Sequence, residues 1–201
     1  MLVKRPGLVP GRAVCGVLLS LLLAIFLAVP GQAQDAGGLL QVLAAPGGVG
    51  LMRHARAPGT GDPPGFRPGE CATQRNLDNA GRDEARRWGA TLRGAGLSDA
   101  AVLTSAWCRA RETGALLGLR PPAHLDALDS FFDGQGDAAG QTRALRAALD
   151  AGRDGTPRIL VTHQVNVTAL TGVFPGDAEM VVLRPGPGGY EVAGRIRPPP
   201  P

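Results

Sequence analysis

The chain has little of three residue types, and each shortage excludes something. Lys4 is the only lysine, so the chain beyond its N-terminal region has no lysine for catalysis. Aromatic residues make up 4% of the chain, and a core must therefore be built from Leu, Val and Ala. The few cysteines and histidines show neither a C-x-x-C nor an H-x-x-x-H spacing. A zinc site is therefore not expected, and nothing in the sequence predicts another metal or cofactor.

The positive net charge of +4 is concentrated at the N-terminus. Three of the 21 basic residues lie in the first 33 positions, where no acidic residue occurs, so the remainder has 18 basic and 17 acidic residues. No basic stripe with interleaved aromatics is present in that remainder. The sequence therefore does not predict a nucleic-acid partner, despite its basic character.

The first 33 residues have the layout of a secretory signal peptide. Three basic residues flank the start of an apolar run at 14–29, and small residues lie at the positions that precede a cleavage after Ala33. The alternative is an uncleaved membrane anchor, for which this run is short, since a span needs about 20 apolar residues. We therefore expect a periplasmic or secreted protein without a stable membrane span after cleavage.

The expected mature chain consists of one domain at 34–196 and a Pro-rich tail at 197–201. Export would place it in an oxidising compartment, where cysteines form disulfides. Cys71 and Cys108 are the only two cysteines of this part of the chain. We expect a disulfide between them, and the alternative is two separate buried thiols.

Short apolar runs alternate with helical periodicities along the mature chain. The predicted strands lie at 49–52, 101–104 and 158–162, with a closing hairpin formed by 180–183 and 190–192. The predicted helices lie at 39–43, 78–95, 107–117, 142–151 and 166–171. This alternation predicts an α/β fold, a three-layer sandwich with a mainly parallel central sheet.

Three groups of polar residues follow the predicted strands. They are the pair Arg53 and His54, the segment 105–109 that ends at Arg109, and His163. Ligands of such folds bind at the carboxyl ends of the strands. A neutral imidazole is a competent nucleophile near neutral pH, and the planar fork of arginine matches phosphate oxygens. We therefore predict phosphoryl chemistry with His54 as nucleophile and with Arg53, Arg109 and His163 around the phosphate.

Four segments carry a resemblance to a known family. They are L-M-R-H-A at 51–55, L-D-N-A-G-R-D-E-A at 77–85, T-S-A-W-C-R-A-R-E-T at 104–113 and V-T-H at 161–163. In this order they resemble the motifs of the histidine phosphatase (phosphoglycerate mutase-like) superfamily over roughly 49–183. Two positions depart from the family pattern: Ala55 and Gln164 stand where glycine is usual.

The resemblance implies a phosphoglycerate mutase-like fold and a metal-independent phosphatase that forms a phosphohistidine intermediate. Many members have a general acid after the second helix, and Asp126, Asp129 and Asp133 lie in the corresponding region. We take Asp129 as the predicted acid. Some small members that act on phosphohistidine lack this acid, since a phosphoramidate leaving group needs less protonation.

The predicted function is hydrolysis of a small-molecule phosphomonoester outside the cytoplasm, with an envelope sugar phosphate suggested by similarity to small exported members. Arg75, Arg56 and Gln164 are further candidate substrate-binding residues, because they lie in or beside the Gly- and Pro-rich loop or follow His163. One alternative is a protein phosphohistidine phosphatase, against which export argues. The other is a non-catalytic module that binds phosphate or glycan on the same fold.

Overall fold

Six strands form one central sheet. In chain order they are β1 (Val49–Arg53), β2 (Ala101–Thr104), β3 (Ala123–His124), β4 (Arg158–Thr162), β5 (Met180–Gly186) and β6 (Gly189–Ile196). Their order across the sheet is β3-β2-β4-β1-β5-β6. The first four are parallel, whereas β5 runs antiparallel to β1 and pairs with β6 as a hairpin. The predicted α/β fold with parallel strands and a closing hairpin is confirmed, and the two-residue edge strand β3 is an addition to it.

In the part of the chain that the structure describes, five helices connect and cover these strands. They are α1 (Ala36–Ala44), α2 (Asn79–Gly94), α3 (Cys108–Leu116), α4 (Ala138–Ala151) and α5 (Gln164–Thr171). Asp78 caps α2 as predicted, since its Oδ1 accepts a hydrogen bond from the backbone N–H of Gly81 at 2.8 Å. Helix α1 begins earlier than predicted, because Asp35 caps the N–H of Gly38 at 2.7 Å. Short 3₁₀ turns occur at Cys71–Thr73, Asp126–Leu128 and Phe132–Gly134.

The core has two parts, one on each face of the sheet. Because side chains alternate along a strand, Met52 packs with Trp88 of α2 on one face, whereas its neighbour Leu51 packs with Leu149 of α4 on the other. Helices α1, α2 and α3 contribute to the first part, and α4 and α5 to the second. Gly89 allows α2 to approach the end of α3, since a Cβ there would lie 2.0 Å from the carbonyl oxygen of Leu117. The result is the expected three-layer sandwich.

The computed structural model describes residues 1–2, 35–153 and 155–201. The predicted signal peptide, 1–33, lies almost entirely outside the described residues, so its presence and cleavage stay predictions. Within the described part, no helix has the length and apolar character required to cross a membrane. The predicted tail at 197–201 is without regular structure, and the carbonyl of Pro199 accepts a hydrogen bond from Arg87 at 3.0 Å.

Candidate active site

The ends of three parallel strands bring the predicted groups together. His54 follows β1, and its backbone N–H donates to the carbonyl of Thr162, at the end of β4, at 2.9 Å. Ser105 follows β2, and its N–H donates to Val161 at 3.1 Å. His163 follows β4, and its ring centroid lies 5.5 Å from that of His54. The register of the sheet therefore positions these side chains at one edge.

His54 presents one imidazole nitrogen for chemistry. Its side chain is buried, and Nδ1 lies 2.8 Å from the carbonyl oxygen of Ala55. A carbonyl only accepts hydrogen bonds, so Nδ1 carries the proton and Nε2 carries the lone pair. Burial lowers the pKa of His54 well below its ordinary value, and the nearby charge of Arg109 lowers it further. The imidazole is therefore neutral near pH 7, as a nucleophile must be.

Arg109 lies in the first turn of α3 with its guanidinium against His54. Its Nε donates to Nε2 of His54 at 3.2 Å. The other end of the guanidinium forms two hydrogen bonds to the carboxylate of Asp62, from Nη1 at 2.7 Å and from Nη2 at 3.2 Å. Burial lowers the pKa of Arg109, and the bond to Asp62 counteracts this. A permanent cation thus lies beside the imidazole of His54.

Arg53 and His163 complete the set of potential phosphate ligands. Arg53 pairs with Asp177 at 3.0 Å and donates to the carbonyl of Pro175 at 3.3 Å, while its Nε has no hydrogen-bond partner among the described residues. His163 is buried, and its Nε2 lies 2.7 Å from the hydroxyl oxygen of Ser105. Burial, followed by the proximity of His54, lowers the pKa of His163 well below its ordinary value. Both side chains line the same cavity as His54.

This cavity has a volume of about 300 Å³, and two kinds of residue in its lining could contact a ligand in different ways. Charged and imidazole groups form one part of its lining: Arg53, His54, Asp62, Arg75, Arg109 and His163. Two phenylalanines line another part and are partly open to solvent, Phe174 at 68% and Phe132 at 41% exposure. The cavity thus offers cations for an anionic group and apolar surface for an organic one.

The three predicted substrate-binding residues have different positions. Arg75 and Gln164 line the cavity. The Nε of Arg75 donates to the carbonyl of Gly61 at 2.8 Å and its Nη1 to the carbonyl of Ala57, so this guanidinium also supports the loop. Arg56 is not among the lining residues and pairs with Asp78 at the surface, at 3.1 Å. The structure therefore does not support a substrate contact for Arg56.

Asp129 does not line the cavity either. Its Oδ1 accepts a hydrogen bond from the backbone N–H of Ala106 at 2.7 Å and lies 3.1 Å from Nε2 of His124. A general acid has to reach the leaving oxygen, and these two contacts engage the carboxylate elsewhere. The predicted assignment of Asp129 as the acid is therefore not supported by its position.

His124 and Asp129 also belong to the single group of described side chains with spacing suitable for a metal ion. The third member is Asp126, and the potential ligand atoms lie within 4.8 Å of one another. His124 and Asp126 are exposed, and none of the three lines the cavity. This surface group is thus separate from the residues around His54.

Asp62 is the functional candidate that sequence reasoning missed. It is the only carboxylate among the described residues that line the cavity, and its side chain is 4% exposed. Burial raises the pKa of Asp62, but hydrogen bonds from Arg109 and from the backbone of Arg75 outweigh this and lower it. The only available signal was its place in the Gly- and Pro-rich loop, a kind of segment that is often functional.

The predicted disulfide is present between Cys71 and Cys108, whose Cα atoms are 5.6 Å apart. It joins the 3₁₀ turn after the loop to the first residue of α3, directly before Arg109. The backbone N–H of Cys108 also donates to the side-chain oxygen of Gln74 at 2.9 Å. The loop and the helix that carries Arg109 are thus joined covalently and by a hydrogen bond.

Comparison with known proteins identifies the fold. No family model matches the sequence, and no curated protein gives a significant match. Among solved structures, the protein histidine phosphatase SixA complexed with tungstate has a TM-score of 0.56 and 21% identity, over 75% of this chain and 97% of that one. A phosphoserine phosphatase mutant from Entamoeba histolytica in complex with phosphoserine has a TM-score of 0.57 and 10% identity, over 74% and 95%.

A third structure, YhfR from Bacillus stearothermophilus, has a TM-score of 0.54 and 18% identity, over 73% of this chain and 95% of that one. The matches span nearly the whole length of the other proteins, so the likeness concerns the complete domain. The chain therefore has the phosphoglycerate mutase-like fold of the histidine phosphatases, and the fold prediction is confirmed.

Proposed function

We propose that the protein hydrolyses phosphomonoesters through a phosphohistidine at His54. The contact between Nε2 of His54 and Nε of Arg109, at 3.2 Å, carries the proposal. It places the Nε2 lone pair, whose direction is fixed by the Nδ1 bond to Ala55, beside a cation that can hold phosphoryl oxygens. Phosphoryl transfer needs mainly this combination of alignment and charge stabilisation.

The proposed reaction has two steps. Nε2 of His54 attacks phosphorus, the bond to the leaving oxygen breaks, and Arg53, Arg109 and His163 stabilise the equatorial oxygens. Water then attacks the phosphohistidine, the P–N bond breaks, and inorganic phosphate leaves. We expect the reaction to need no metal ion, because the arginines supply the positive charge. Activity that survives a chelator would support this part.

An extracytoplasmic substrate is part of the proposal. The Cys71–Cys108 disulfide is typical of proteins outside the cytoplasm, and the sequence predicts a signal peptide. An envelope sugar phosphate is the substrate class that the resemblance to small exported members offers. The apolar surface of Phe132 and Phe174 in the cavity is compatible with the face of a sugar ring.

A protein phosphohistidine phosphatase is the second candidate, and one observation favours it. Asp62 is the only carboxylate among the described lining residues, and its bonds to Arg109 keep it ionised. No described carboxylic acid in the cavity is therefore poised to protonate an alcohol leaving group. Hydrolysis of a phosphohistidine peptide at a higher kcat/KM than any phosphomonoester would select this candidate.

The test is phosphoenzyme formation with a radiolabelled aryl phosphate. The wild type is expected to form an acid-labile, alkali-stable phosphoenzyme, which His54→Ala abolishes together with turnover. His124→Ala is the matched control, because His124 lies outside the cavity, and it should label normally. Normal labelling of His54→Ala would refute the assignment, and phosphate binding without turnover on any tested ester would favour a non-catalytic module.

A further inference from the structure

Asp62 is saturated with hydrogen bonds at the centre of the site. Its Oδ1 accepts from Nη1 of Arg109 at 2.7 Å and from the backbone N–H of Arg75 at 3.0 Å. Its Oδ2 accepts from Nη2 of Arg109 at 3.2 Å and from the indole N–H of Trp107 at 3.0 Å. Such a buried carboxylate with four donors is held in one geometry.

The two edges of the Arg109 guanidinium have different partners. Asp62 binds the terminal edge, formed by Nη1 and Nη2, whereas Nε on the side edge faces Nε2 of His54. Because a guanidinium is planar, two bonds to its terminal edge determine the direction of the side edge. We propose that Asp62 is a positioning residue, which orients Arg109 so that its side edge meets the phosphoryl oxygens beside His54.

The neighbouring charges explain why Arg109 needs such a partner. Arg53 and Arg75 also line the cavity, and like charges at close range repel. Burial lowers the pKa of Arg109 most, the charge of Arg53 lowers it further, as repulsion between like charges does, and Asp62 acts in the opposite direction. Asp62 therefore offsets a repulsion that would otherwise favour movement of Arg109 away from His54.

The indole of Trp107, which donates a hydrogen bond to Asp62, is itself held by contacts with the loop and with a residue of the site. Its ring stacks on Phe66 of the loop, with centroids 5.3 Å apart and planes inclined by 20°, and it contacts His163 edge-on at 5.3 Å. Asp62 is thus tied to the residues around His54 by Arg109 and by Trp107. The loop belongs to the active site through this carboxylate.

The same contacts allow an opposite role, in which Asp62 obstructs the site by occupying donors that phosphate would use. The two roles predict opposite changes in kcat/KM when the charge of Asp62 is removed. Removing the charge of a positioning residue lowers kcat/KM, whereas removing that of an obstruction raises it and tightens phosphate binding. The Nε edge of Arg109 favours positioning, since Asp62 leaves that edge directed at His54.

A double-mutant cycle tests the proposal, which rests on the proposed function. Asp62→Asn is expected to lower kcat/KM for an aryl phosphate by about tenfold to a hundredfold, since small misplacements of catalytic groups cost about that much. In an Arg109→Gln background, Asp62→Asn should cause no further loss, because residues that act through one another are not additive. An equal loss in both backgrounds, or a higher kcat/KM for Asp62→Asn, would overturn the proposal.

The same double-mutant cycle can be applied to the binding of inorganic phosphate, measured by calorimetry, which requires no turnover. Asp62→Asn should weaken phosphate binding in the wild-type background and not in Arg109→Gln, and tighter binding in the wild-type background would identify an obstruction. If the wild type forms no phosphoenzyme, the proposed function fails while this arm still tests the orientation of Arg109. The two failures are therefore distinguishable.

Two further variants control for folding and for general charge effects. Asp83→Asn removes an exposed carboxylate that pairs with Arg86 at 2.7 Å on α2, and it should leave kcat/KM unchanged. Asp62→Glu keeps the charge but displaces it by a methylene, so it should also lower kcat/KM if geometry matters. Full activity of Asp62→Glu would contradict positioning, and thermal unfolding shows whether each variant is folded in the assay.

Discussion

Two walls of the cavity are held by different kinds of interaction. The strand-end wall, defined as residues 53–54 and 163 together with Ser105, whose hydroxyl contacts His163, is attached by backbone hydrogen bonds that extend the sheet, such as His54 to Thr162. The loop wall, defined as residues 57–75, is attached mainly by side chains, namely the carboxylate of Asp62, the guanidinium of Arg75 and the Cys71–Cys108 disulfide.

The difference has a consequence for mutation. Almost any residue can form backbone hydrogen bonds, whatever its side chain. The strand-end wall should therefore keep its shape when neighbouring residues are substituted. Each anchor of the loop wall depends on the chemistry of one side chain. We therefore expect single substitutions to displace the loop wall much more readily than the strand-end wall.

Arg109, which connects the two walls, should give the largest effect. Arg109→Lys keeps the charge but removes the planar fork that reaches Asp62 and His54 together. We expect kcat/KM to fall by about 10²- to 10³-fold, as for loss of an oxyanion donor. Arg82→Lys is the matched control, since Arg82 pairs with Glu112 at 2.6 Å away from the cavity. If both variants had similar kcat/KM values, the proposed role of Arg109 in the active site would be contradicted.

The disulfide should matter for stability and for the loop wall in particular. The double substitution of Cys71 and Cys108 by Ser is expected to lower the free energy of unfolding by about 3–4 kcal/mol, since it reopens a loop of 37 residues. Urea denaturation measures this loss. Hydrogen exchange should become faster at 57–75, while the amides of His54 and Ser105 remain protected. Equal acceleration in both walls would contradict the distinction between them.

The pH dependence tests the coupling between the walls. Burial, followed by Arg109, lowers the pKa of His54, so the neutral and nucleophilic form persists below the ordinary imidazole pKa of about 6.5. An NMR titration of the free enzyme should place the His54 midpoint below that value, and the acid limb of kcat/KM should follow it. Arg109→Gln should raise the pKa of His54. A wild-type midpoint at or above the ordinary value would contradict the described environment.

The smallest expected effect concerns the apolar lining. Phe174→Ala should raise KM for an aryl phosphate by about three- to tenfold, since an aromatic contact contributes about 0.5–1.5 kcal/mol, with little change in kcat. Val192→Ala is a suitable control, because Val192 is also exposed but does not line this cavity. An unchanged KM would show that the organic part of the substrate lies against another surface.

Much of the fold and of the strand-end wall was predictable because its signals are local. The apolar run at 49–52 is followed by Arg53 and His54, the strand at 158–162 is followed by His163, and parallel strands place their ends at one edge of the sheet. Helix α2 was recognisable from Asp78 and the spacing of Trp88 and its neighbours. These features depend on residues close together in the chain.

The assignments that the structure does not support, and the residue that was missed, depend on where a side chain points after folding. Asp129 lies in the expected region, but its carboxylate caps the N–H of Ala106 and pairs with His124. Arg75 and Arg56 were both predicted to bind substrate, yet Arg56 pairs with Asp78 at the surface whereas Arg75 lines the cavity. No local pattern distinguishes such alternatives.

The sequence alone determined the alternation of strands and helices, the histidines that follow two strands, and Cys71 and Cys108 as the two candidates for a disulfide. These follow from periodicity, from chain order and from the small number of options. Only the tertiary structure decided that Asp62 lies against Arg109, 47 residues away. The physical reason is that the loop has no periodic pattern, and its position results from side-chain bonds that form only when distant segments are packed together.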